Sequence, residues 1–155
     1  MTPHSTRRIV LLGVVVACTL AAGCGDPEHC GETSTPTASS NAPVITNFDL
    51  AYQVEDDPWQ GIFSLSFTDS NGNLGSGIAE FFVQGTQTDS LSLQDLFSAA
   101  GVAPTATEGT IALPLRFADT IAGNARSWLG IQIVDAEQER SNCYALELTL
   151  KPEDL

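Results

Sequence analysis

The segment GIFSLSFTD, Gly61 to Asp69, alternates strictly: Phe63, Leu65 and Phe67 fall on one side, Ser64 and Ser66 on the other. A period of two is the period of a β-strand whose one face is buried. The pattern recurs along the chain. VITNFDLAY sets Val44, Phe48 and Leu50 together, and IAEFFVQG sets Phe81 with Val83. GTIALPLRFAD aligns Ile111, Leu113, Leu115 and Phe117; SWLGIQIVD aligns Leu129, Ile131 and Ile133; CYALELTL aligns Tyr144, Leu146, Leu148 and Leu150. Strands of this kind must lay their apolar faces against a second sheet. Pro114 lies on the opposite face of its segment and has no N–H for a ladder, so it points to an edge strand or a bulge. One stretch breaks the period: SLQDLFSAAGV spaces Leu93, Leu96 and Phe97 for a short helix that Gly101 stops. The expectation is an all-β, two-sheet sandwich of six to seven strands with one short helix inserted, spanning residues 43–155.

Three features carry a wider resemblance. They are a Pro-led first strand (APVI), a strand ending in FTDSNGNLGSG, and a closing pair IQIVDAEQERSNCYALEL with an Asp and a polar turn between alternating strands. In this order the domain resembles bacterial immunoglobulin-like or fibronectin-type domains. The Cys…Trp…Cys core of antibody domains is absent. Cys143 falls on the face opposite Tyr144 and Leu146, outside the expected core.

The first residues read as a targeting segment. Arg7 and Arg8 precede the apolar run IVLLGVVVACTLAA, and small residues follow it. The run is shorter than the roughly 20 residues of a comfortable membrane span. An uncleaved N-terminal anchor is the alternative reading. TRR only glances at a twin-arginine signal, so ordinary export is preferred. LAAGC, Leu20 to Cys24, resembles the lipobox of bacterial lipoproteins, with Ala21 where the family usually has Leu. The resemblance implies a diacylglyceryl group on the Cys24 thiol, a signal peptide over residues 1–23 and a protein held to the membrane by acyl chains. VVAC, ending at Cys18, fits the same pattern with a shorter apolar core. Gly25 stands where an Asp would mark inner-membrane retention in enteric bacteria, so the resemblance favours the outer membrane. Residues 24–42, rich in Ser, Thr, Pro and Gly, read as a flexible tether.

The chain carries 6 basic and 19 acidic residues, a net charge of −13. Loss of residues 1–23 removes two arginines and no acids, giving −15. That balance argues against nucleic acid as a partner; it suits solubility at an envelope surface, with cation binding as the sharper alternative. With Cys18 in the signal and Cys24 acylated, Cys30 and Cys143 remain. In an oxidising compartment such a pair most simply forms a disulfide, which would pin the tether to the last strand. His29 beside Cys30 is a weak hint of a metal instead.

Candidate sites are few. In DSNGNLGSGIAE, Asp69, Asn71 and Asn73 match the first oxygen positions of a calcium loop and Glu80 the twelfth. Leu74, however, occupies the sixth position, where a Gly is needed, and NG is foremost a hairpin turn. A calcium site outside the helix–loop–helix pattern remains open to Asp69, Asn71 and Asn73. EDDPWQG groups three carboxylates beside Trp59. Trp59 and Trp128 are candidates for a sugar-stacking platform; the alternative role for Trp128 is to cover Gly130. The two histidines are His4 and His29, and Lys151 is the single lysine, so the expected domain lacks Ser–His–Asp, Cys–His and Ser–Lys chemistry. The expectation is a lipid-anchored, non-catalytic envelope protein that binds or supports an envelope protein or glycan, with no required cofactor. The alternatives are a carbohydrate-binding module, calcium-stabilised or not, and a hydrolase working through paired carboxylates.

Overall fold

The structure, a computed structural model, describes residues 29–31, 35–54, 57–116 and 127–148, without the side chains of 53–59. The strands are β1 (Val44–Val54), β2 (Asp57–Thr68), β3 (Ile78–Val83), β4 (Thr86–Ser92), β5 (Glu108–Arg116), β6 (Ser127–Val134) and β7 (Tyr144–Leu148). A helix, α1 (Leu93–Ala100), separates β4 from β5. The sheets have the orders β1-β2-β5 and β4-β3-β6-β7, with all neighbours antiparallel. This is the all-β two-sheet sandwich that the alternation predicts, of the immunoglobulin-like kind that the resemblance implies, with seven strands among the described residues.

The serine-lined strand is the centre of its sheet. Phe63, Leu65 and Phe67 are buried and face Leu113, Ile111 and Gly109 across the ladder. On the outer face Ser66 and Thr110 share a hydroxyl hydrogen bond of 2.9 Å. Phe81, Val83, Leu129, Ile131 and Ile133 supply the opposing wall of the same core. Each fully buried Leu or Phe contributes about 1.5–3 kcal/mol of transfer free energy. β5 is an edge strand, and Pro114 sits exposed on it as its missing N–H requires.

Strand β1 departs from the simple alternation. Its register with β2 slips between Ile45 and Asn47 and again between Leu50 and Tyr52. A bulge lets two residues an odd number apart face the same way. Ile45 and Phe48 are therefore the core residues, Val44 is only half-buried, and Leu50 is 42% exposed on this edge strand. The helix behaves as its spacing predicts. Leu93 and Phe97 are buried, Leu96 packs against the core, and Gly101 ends the helix in the left-handed conformation at φ 67°. Phe97 stacks on Phe67 with ring centroids 5.2 Å apart, so α1 closes one end of the sandwich. Phe117 and Leu150 lie outside the described residues.

The larger sheet is covered on both faces, which period-two patterning does not foresee. Every residue of β6 is buried except the half-buried Trp128, and β3 is buried from Ala79 onward. The outer cover comes from His29–Gly31 and from the chain between β6 and β7. Parts of the stretch read as a tether thus lie on the sandwich. Thr37 clasps Arg140 through two hydrogen bonds, Thr37 N–H to the Arg140 carbonyl at 3.0 Å and Arg140 N–H to Thr37 Oγ1 at 2.8 Å. Ser70 donates its hydroxyl to the Ser40 carbonyl at 2.9 Å.

Candidate functional site

The outer face of the four-stranded sheet holds the chemistry that two of the sequence candidates share. Cys30 and Cys143 form a disulfide with Cα atoms 6.0 Å apart, closing a separation of 113 residues. Both are buried and pack with Phe82, which points away from the main core. Cys143 immediately precedes β7, so the bridge pins the N-terminal segment to the start of the last strand. Gly130 makes this seat possible. A Cβ there would stand 2.6 Å from the His29 carbonyl oxygen and 2.9 Å from Cys30 Sγ.

Trp128 is half-buried beside this seat, and His29 lies flat on it with ring centroids 4.2 Å apart and planes 8° apart. One ring face that a sugar would need is therefore taken by the protein's own imidazole. It is His29 and Cys30, not Trp128, that cover Gly130. The expectation of a domain without histidine is corrected here: His29 belongs to the folded surface. Trp59 lies on the backbone of β2, but its side chain lies outside the described residues, as do Cys24 and the acids Glu55 and Asp56.

Further along the same face, Arg140 makes an ion pair with Glu80 through Nη1 and reaches Gln132 Oε1 at 3.1 Å. Gln132 Nε2 donates to the Ser141 carbonyl at 2.7 Å. Glu80 and Gln132 are both buried, so the ion pair and the amide satisfy groups that the fold has removed from water. Glu80 is accordingly not free for the twelfth position of a calcium loop. Asn142 joins the two sheets: its Oδ1 accepts the Ile45 N–H at 2.8 Å and its Nδ2 donates to the Ile45 carbonyl at 3.1 Å. Nothing in the sequence marks Gln132, Arg140 or Asn142, because polar side chains outside the apolar face read as solvent-facing.

The remaining candidates lie where β2 and β6 end. Asp69 is 1% exposed and organises the turn that follows it. Its Oδ2 accepts the N–H groups of Asn73 at 2.9 Å and Leu74 at 3.0 Å, which starts the 3₁₀ turn Leu74–Ser76. Asn73 is half-buried, while Asn71 is exposed. Burial pushes the Asp69 carboxyl above the ordinary aspartate range, the hydrogen bonds from Asn73 and Leu74 pull against it, and the neighbouring Asp135 raises it further. Asp135, absent from the sequence candidates, is also 1% exposed. Its Oδ1 accepts the N–H groups of Glu137 and Glu139, each at 2.8 Å.

No protein-family model matches the chain, and no curated protein matches it. Among the described residues, no helix is long and apolar enough to cross a membrane.

Proposed function

We propose that this chain is a lipid-anchored protein of the bacterial cell envelope, whose sandwich binds or supports an envelope partner without catalysis. The observation that carries the reading is the Cys30–Cys143 disulfide, taken with the LAAGC segment six residues upstream of Cys30. Disulfides persist in oxidising compartments outside the cytosol, and a lipobox-like cysteine behind an apolar run supplies both export and anchor. Gly25 after Cys24 favours the outer membrane on the enteric pattern.

The bridge also sets the reach of such an anchor. Six residues from Cys24 to Cys30 span at most about 20 Å when fully extended. The outer face of the four-stranded sheet would therefore sit near the bilayer, since the seat at Cys30 shortens the linker from the nineteen residues of 24–42. A glycan platform draws less support, because His29 occupies one face of Trp128. The test is the intact mass of the protein extracted from its native membrane, alkylated with and without prior reduction. A mass beginning at acylated Cys24, with two thiols appearing only after reduction, supports the reading. An unacylated mass or another first residue refutes the anchor.

A further inference from the structure

Two loops leave the same end of the sandwich, one after β2 and one after β6, and each begins with a buried aspartate. The pairing of Ile78 with Val134 brings the loops together. Gly77, just before Ile78, packs so closely that a Cβ on it would lie 2.1 Å from the Val134 carbonyl oxygen and 3.1 Å from Asp135 Cα. Its N–H bonds the carbonyl of Leu74 at 2.8 Å, and Leu74 is the residue whose own N–H Asp69 holds. Asp69 and Asp135 are neighbours close enough for the charge of one to act on the other.

Each carboxylate spends one oxygen on its own turn and leaves the other without a partner. Asp69 Oδ1 and Asp135 Oδ2 are both buried and accept no hydrogen bond. Asn73 holds Asp69 through its backbone, yet its side-chain Oδ1 and Nδ2 are also buried and unpartnered. Buried carboxylate oxygens left in this state carry a desolvation cost that no hydrogen bond offsets, and the neighbouring like charge adds to it. A cation relieves both at once.

We propose that Asp69, Asp135 and Asn73 form a binding site for a divalent cation of the calcium type at this end of the sandwich. The donors are all oxygen, which suits a hard cation and disfavours the softer transition metals. Two carboxylates neutralise a double charge, the Asn73 amide adds a neutral oxygen, and backbone carbonyls or water complete the shell. Among the described residues, no group of three or more His, Cys, Asp or Glu side chains gathers around a common point. Few charged ligands mean a weak site, in the range of extracellular calcium modules rather than cytosolic sensors. The cation would clamp the loop entering β3 to the loop leaving β6. The site does not depend on how the chain is anchored.

The experiment uses the full-length chain in detergent, stripped with EDTA at neutral pH and titrated with CaCl₂. Calorimetry is expected to show saturable binding of one calcium per chain, and the melting temperature is expected to rise with calcium concentration as linkage requires. Asp135→Asn keeps an Oδ1 that accepts from Glu137 and Glu139, so the turn survives while a charged ligand is lost; its affinity should fall about tenfold or more. Asn73→Ala keeps the backbone N–H that Asp69 holds and provides the second variant if the first does not fold. Asp95→Asn, exposed on α1, should leave calcium binding unchanged. Folded wild-type protein that shows neither heat nor a melting shift in millimolar CaCl₂ overturns the proposal. So does a calcium response that Asp135→Asn or Asn73→Ala leaves intact.

Discussion

Asp69 is held at the end of β2, where water scarcely reaches it, and its carboxyl titrates above the ordinary aspartate value of about 3.9. The folded state therefore binds this proton more tightly than the unfolded state does. The sign follows: stability from this group is fully present below the unfolded value and is lost as pH rises through the raised one. In EDTA, denaturant melts of the wild type should weaken as pH climbs out of the acid range, whereas Asp69→Asn should show a flatter profile there. An identical profile in the two proteins would remove Asp69 as the source. The sequence made Asp69 visible as an Asp before an Asn-Gly turn. It did not reveal Asp135 as its neighbour, because 66 positions separate them and only strand pairing between β3 and β6 joins their loops.

At the level of elements, β3 and β6 show how far alternation carries. It assigned Phe81, Val83, Leu129, Ile131 and Ile133 to the core correctly. It left Glu80, Phe82, Gly130 and Gln132 as the outward set without saying what covers them, and the structure buries all four. Gly130 is the most demanding of these. Substitution by alanine drives a methyl group into the His29 carbonyl oxygen and the Cys30 sulfur. Gly130→Ala should cost about 1–3 kcal/mol in urea melts, the ordinary range for overpacking. It should also make the Cys30–Cys143 bridge react faster with a reductant. A variant as stable and as slowly reduced as wild type would show that the segment sits elsewhere. In β1, the register slip between Ile45 and Asn47 overrode the pattern by turning Ile45 inward beside Phe48, while Leu50, in register with Phe48, stays 42% exposed on the edge strand.

Across the whole molecule, the disulfide is the longest-range tie, joining residues 113 positions apart. By the chain-entropy treatment, a loop of that length restrains the unfolded chain by about 4–5 kcal/mol. Cys30→Ser combined with Cys143→Ser should therefore lower unfolding free energy by a few kcal/mol up to that figure. Circular dichroism should still show the β-sandwich, because Phe63, Leu65 and Ile131 pack in a cluster separate from the bridge. An unchanged midpoint would mean that the bridge contributes nothing in solution. The same tie converts part of a Ser- and Pro-rich stretch into cover for the sheet. Composition suggested reach for that stretch, but a buried cysteine, the Thr37–Arg140 clasp and the His29–Trp128 stack hold it down.

By itself, the sequence determined the helix, its Gly101 stop, the two-sheet class and six of the seven described strands, since periodicity and capping are local properties of the chain; β4 escaped it, because TQTDSLS is exposed along nearly its whole length and carries no apolar alternation. It also left Cys30 and Cys143 as the pair to be joined. Only the tertiary structure decided what lies on the second face of the larger sheet, how Arg140 answers Glu80, and that Asp69 meets Asp135. Those outcomes depend on contacts between residues far apart in the chain, and a buried polar group looks the same in sequence as one that faces water until its partner is in place.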